Sequence, residues 1–134
     1  MATRRSKVFS SVDYDNDKHY QNLLRAWNAN PEFEFTWNET SPIVAIDSRN
    51  ADAIKATLSR MINEATHFLC IVGKSTAKSR WVDWEIRKAI ELKKKLVGVK
   101  IDRDNTTPNA LLNAGASWAM SFSQEAILKA LKGV

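Results

Sequence analysis

The chain has little of what most catalytic machinery is built from. Its 134 residues include one cysteine, two histidines, four glycines and three prolines. A single cysteine, Cys70, excludes an internal disulfide. It stands inside an apolar run and reads as a small core residue. With only His19 and His67 besides, the usual Cys/His zinc site is excluded, and no metal is expected. The glycines, Gly73, Gly98, Gly115 and Gly133, are too scattered for a dinucleotide fingerprint or a phosphate-binding loop. No serine stands in a nucleophile elbow. No apolar run approaches the ~20 residues of a membrane span. The start, Met1 to Lys7, is basic, but no apolar signal core follows it. The expectation is a cytoplasmic protein, neither secreted nor anchored.

What is there is ordinary in bulk. Apolar residues make up 44% and charged residues 26%, which places the chain among globular domains. Its length suits one domain, taken as residues 1–134. The formal charge of +5 favours anionic partners but is dispersed. Lys93-Lys94-Lys95 reads as a solvated helix end, where cations suit the dipole. Nucleic-acid binding is therefore the weakest of three functional readings.

The order of elements is informative. Lys7–Val12 reads as a strand, Asp13–Asp17 as a polar turn, and His19–Asn28 as a helix ended by Asn30-Pro31. Phe33, Phe35 and Trp37 alternate with polar residues, as in a half-buried strand. Pro42–Asp47 reads as a short strand or extended loop. A helix follows from Asn50 or Ala51, with Asn50 as its cap and Ile54, Leu58, Met61, Ile62 and Ala65 on one stripe. His67–Val72 is apolar nearly throughout, as in a strand covered on both faces. Next come a loop at 73–79, a helix at 80–94, a strand at 96–101, a short helix at 108–113 and a strand at 117–122. A last helix is capped by Ser123 and stopped by Gly133. Strands alternating with amphipathic helices predict a three-layer α/β domain of flavodoxin-like order around a mainly parallel sheet.

A phospho-acceptor site of the receiver kind fails in its essential residue. Asp13 and Asp15 follow the first strand, but the central strand ends Val72-Gly73-Lys74, with no aspartate. Attention then falls on the helix at 80–94, which starts beyond the carboxyl end of that strand, where α/β proteins place ligands. Its apolar stripe is Val82, Ile86, Ala89 and Ile90. Glu85 lies roughly 80° from the stripe's centre, at its border, and Trp84 almost opposite it. Two readings of Glu85 stand at this point: an acid paired with Arg87, Lys88 or another base, or an acid that does chemistry.

The motif sharpens the choice. Phe68-Leu69-Cys70-Ile71-Val72-Gly73, Thr76, Ser79-Arg80-Trp81-Val82 and Glu85-Ile86 occur together, with Val8-Phe9-Ser10-Ser11-Val12-Asp13-Tyr14-Asp15 at the start. This set resembles the TIR-like domains, most closely the TIR-like component of Thoeris antiphage defence systems. The resemblance covers about residues 7–17 and 54–101, and it is poor at 31–50 and from 102 onward.

The resemblance implies an enzyme that cleaves the nicotinamide–ribose bond of NAD, which is substrate rather than cofactor. The product is an ADP-ribose-derived signal, open or cyclic, that reaches a separate effector. Glu85 is then the catalytic carboxylate. Ser10, Ser11, Asp13, Tyr14, Lys74, Thr76, Arg80 and Trp81 are implied as substrate-binding residues. Ser10 and Ser11 have an equal claim to simple strand-end hydrogen bonding. Self-assembly on activation and a phage trigger are implied partners, with no membrane. The alternative is a non-catalytic TIR-like or receiver-like interaction module, in which an outward Trp84 meets a partner.

Overall fold

The computed structural model describes residues 6–27, 32–37 and 48–134. The readings at residues 1–5, 28–31 and 38–47 lie outside the described residues, among them the Asn30-Pro31 stop and the choice between strand and loop at Pro42–Asp47. Five strands form one all-parallel sheet in the order β2-β1-β3-β4-β5. They are β1 (Ser6–Ser11), β2 (Phe33–Trp37), β3 (His67–Val72), β4 (Lys95–Lys100) and β5 (Ser117–Ala119). The helices are α1 (Tyr14–Ala26), α2 (Ala51–Glu64), α3 (Arg80–Glu91) and α4 (Gln124–Lys132). This is the flavodoxin-like order, with the fold reversing direction between β1 and β3.

Strand alternation divides the core in two. Val8, Leu69, Ile71, Val97 and Val99 face α1 and α4, meeting Leu24, Ile127 and Leu131. Phe9, Phe68, Cys70, Val72 and Leu96 face α2 and α3, meeting Leu58, Ile62, Val82 and Ile86. Phe9 and Phe68 are cross-strand partners whose rings stack at 5.7 Å. Burying such side chains stabilises by about 1.5–3 kcal/mol each. Gly98 is needed for the edge: Trp118, its partner on β5, lies flat on it, and a Cβ there would come 2.4 Å from the indole.

Several boundaries differ from the sequence reading. Helix α1 begins at Tyr14 rather than His19, because the Asp13 carbonyl accepts from the Asp17 amide at 2.8 Å and so closes the first turn inside the expected polar loop. Asn50 does not cap α2. Its own backbone is helical and its side chain makes no capping bond. Helix α3 stops at Glu91, and Lys93 takes a left-handed φ of 59° that turns the chain into β4. The strand expected over 117–122 ends at Ala119, and the short helix at 108–113 is a single 3-10 turn, Asn109–Leu111. Ser123 caps α4 as expected, accepting from the Ala126 amide at 3.2 Å.

Candidate functional site

The buried polar and charged side chains are not scattered. Of Ser10, Ser11, Asp17, Gln21, His67, Thr76 and Glu85, all but His67 lie at the carboxyl ends of β1 and β3 or on the helices that start there. That is the β1/β3 switch point, where open α/β sheets bind ligands.

Glu85 is at its centre. Ser79 caps α3 by accepting from the Val82 amide at 3.2 Å, which fixes the helix start and hence its rotation. The face turned to the sheet is Val82, Glu85, Ile86 and Ala89. Ile90, expected on that face, is 41% exposed. The stripe is thus turned by roughly 35° from the apolar one, enough to bring Glu85 inside. Glu85 is only 5% exposed. Its Oε1 accepts from the Ser11 hydroxyl at 2.7 Å. Burial pushes its carboxyl up to about 8, and the Ser11 bond pulls the other way. Ser11 pairs across the sheet with Cys70, whose buried thiol is pushed up by desolvation and then by the nearby Glu85.

The surface pairing expected as the alternative role of Glu85 is not what the structure contains. Arg87 donates to Asp83 at 2.9 Å, and Lys88 pairs with Glu91 at 2.6 Å. Trp84 is also corrected: it is half-buried rather than bare. Its ring meets Trp81 edge-on at 6.1 Å, and the Lys88 ammonium lies 5.7 Å from its centroid. The two indoles pack against the α2/α3 side of the core.

The other sequence candidates separate. Ser10 and Ser11, adjacent in sequence, point to opposite faces. Ser10 faces α1, where its hydroxyl accepts from the buried Gln21 amide at 3.0 Å, so it does not share Glu85's surroundings. Asp13 is partly buried at the start of α1 and accepts from the Asn16 amide at 2.8 Å. Tyr14 opens α1, and its side chain lies outside the described residues. Lys74 and Arg80 are exposed at the two ends of the β3–α3 loop. Thr76 is buried and stitches that loop: its hydroxyl accepts from the Gly73 amide at 2.8 Å and donates to the Ile71 carbonyl at 3.3 Å. Trp81 stands half-buried one turn before Glu85.

Two residues of this region escaped the sequence reading, Asp17 and Gln21. Both are buried on α1. With Leu24 they make an i, i+4, i+7 stripe, the signal that a helix started at Tyr14 would have given. Asp17 is 7% exposed and lies against Gly73, where a Cβ would come 2.2 Å from Oδ2. That oxygen has no hydrogen-bond partner among the described residues. Burial, then the charge of Asp13, holds this carboxyl above its usual range, while His19 and the Thr76 hydroxyl pull it partly back. Among the described residues no group of three metal-ligating side chains forms, and no helix is long and apolar enough to cross a membrane.

Three solved structures share the fold at a TM-score of 0.60. A 2-deoxyribosyltransferase from Bacillus psychrosaccharolyticus is 15% identical, over 87% of this chain and 88% of its own. A second, from Leishmania mexicana, is 16% identical, over 92% and 95%. A conserved protein from Enterococcus faecalis V583 is 11% identical, over 97% and 99%. At such identities the likeness shows the α/β architecture alone. A search of curated proteins finds no match. The family model of the TIR-like domain of the Thoeris protein ThsB, however, matches residues 9–106, which run from the end of β1 through β4 and include Ser11, Asp17 and Glu85. The chain therefore belongs to the Thoeris ThsB TIR-like domain family.

Proposed function

We propose that this TIR-like domain is an NAD-consuming enzyme of antiphage defence. It cleaves the nicotinamide–ribose bond and releases an ADP-ribose-derived nucleotide, open or cyclic, as a signal to a separate effector. The observation that carries this reading is Glu85, a carboxyl buried at the switch point with Ser11 as its hydrogen-bonding partner.

The reaction asks for little machinery. Nicotinamide leaves as a neutral molecule from a cationic ring, so no general acid has to protonate it. The transition state has oxocarbenium character, and one carboxylate beside the ribose stabilises the growing positive charge. A site without a metal or a histidine base is sufficient for that.

The raised acidity range of Glu85 fits a site waiting for a cation. With its carboxyl pushed up to about 8, Glu85 is mostly protonated in the empty site at pH 7. A pyridinium ribose brought beside the carboxyl favours the charged form, and the proton leaves to solvent. Binding and ionisation are thereby coupled. The Ser11 hydroxyl favours the ionised carboxyl and holds its Oε1 in place.

The test is NAD turnover by the assembled or triggered protein, with products identified by mass spectrometry, for native and Glu85→Gln chains. Turnover that disappears with Glu85→Gln supports the reading. Native protein that assembles, defends cells and leaves NAD untouched is an interaction module instead.

A further inference from the structure

Glu85 has a counterpart that this mechanism leaves unused. Asp17 is nearly as buried, at 7% exposure, and sits in the first turn of α1. Helix α1 leaves β1 toward one face of the sheet, and the β3–α3 loop leaves β3 toward the other. The crevice of a 2-1-3-4-5 sheet opens between these two departures. Asp17 stands on one lip of it and Gly73 on the other. They are in van der Waals contact, possible only because residue 73 has no side chain.

The contact is poor as structure. The Oδ2 of Asp17 is buried without a donor. A buried acceptor left without a donor is destabilising. Stability alone would favour an apolar residue here, or a donor on the loop. The loop gives this oxygen no bond of its own: the Gly73 amide is committed to Thr76 Oγ1, and the Thr76 hydroxyl, which tempers the Asp17 carboxyl from nearby, is directed at the Ile71 carbonyl. A lone acceptor, aimed across a ligand crevice at a glycine, is what a hydroxyl-bearing ligand would complete.

We propose that Asp17 is a second ligand-contacting carboxyl of this site. Its Oδ2 accepts a hydroxyl of the ligand's sugar, from the lip opposite Glu85, when the loop at Gly73 lifts away. In the resting protein the loop backbone fills the sugar's place. The inference rests on the reading of NAD as ligand and extends it, since a nucleotide with two riboses offers hydroxyl donors to carboxyls on both lips. No bond is made or broken at Asp17.

Calorimetric binding of NAD tests this in the Glu85→Gln background, where the ligand is not consumed. Asp17→Asn and Asp17→Ala are added singly, and thermal unfolding is followed in each. A hydrogen bond to a charged acceptor corresponds to a loss of about ten- to a hundredfold in affinity when the acceptor is removed. The expected result is that loss in both variants, with Asp17→Ala unfolding at the parent's temperature or above it. A purely structural aspartate gives the opposite pattern: a falling unfolding temperature, with affinity kept in whatever folds. NAD affinities within twofold of the parent overturn the role of Asp17 and leave the NAD reading standing. A parent that binds no NAD, with or without assembly, overturns both.

Discussion

His67 and Glu85 are both buried titratable residues, about equally hidden, at opposite ends and on opposite faces of the sheet. His67 opens β3 at the amino end of the sheet. Its Nδ1 lies 2.8 Å from the Thr66 hydroxyl, and its ring meets Phe33 edge-on. Glu85 stands over the carboxyl end, where among the described residues it accepts from Ser11. Burial first, then the charge of Lys95, holds His67 below its usual range, so it rests neutral and satisfied. Burial holds Glu85 neutral as well, but with lone pairs to spare. Burial alone does not mark a site. Burial over the crevice that the topology opens is what the proposed site adds.

The largest test of this contrast is loss of activity. Glu85→Gln should lower NAD turnover by at least about a thousandfold, since it removes a charge that acts on the transition state. His67→Gln should leave turnover per folded molecule within about twofold, because His67 only builds the strand start. Comparable losses from the two changes would erase the distinction.

Stability against pH should split the pair next. The folded value of Glu85 is raised, from 4.5 to about 8, so the native state holds a proton that the unfolded chain gives up. Its contribution is whole below pH 4.5 and is lost as pH climbs through 8. Glu85→Gln should therefore be more stable than native at pH 8.5, by about 4–5 kcal/mol, and close to native at pH 4.5. His67 runs the other way. Its folded value is lowered from 6.5, so its contribution is present above 6.5 and is lost as pH falls below it. His67→Gln should flatten only this acid side. Denaturant titrations from pH 4 to 9 read both limbs.

Turnover should oppose stability over the same window. The kcat/KM for NAD should rise about tenfold per pH unit up to about 8 and level above it. The smallest effect belongs to Ser11. Ser11→Ala removes the hydrogen bond that favours ionised Glu85, so the midpoint of this profile should move up, by about one unit. The unfolding temperature should fall by no more than about 3 °C.

The sequence made some of this legible and hid the rest for identifiable reasons. The bounds of β3 came out as His67–Val72 because a strand covered on both faces is apolar at every position. The sheet order followed from alternation of strands and helices. The start of α1 was hidden because Asp13-Tyr14-Asp15-Asn16-Asp17 has the composition of a turn, although acidic residues also suit a helix amino end. Losing that start hid Asp17 and Gln21. Glu85 was placed at a border because an apolar stripe is centred on apolar residues only. A buried carboxyl shifts the true face and leaves no trace in that average. Ile90 was counted in its place. The motif, not the periodicity, singled out Glu85.

The Ser11–Glu85 hydrogen bond joins residues 74 positions apart. During synthesis, at typical rates, the donor is made roughly 4–15 s before its acceptor. Strand β1 cannot take its place between β2 and β3 until most of the intervening chain exists. A nascent or truncated chain ending before α3 has no Glu85 at all. The pairing of Ser11 with Glu85 thus forms only once the chain through α3 has been made.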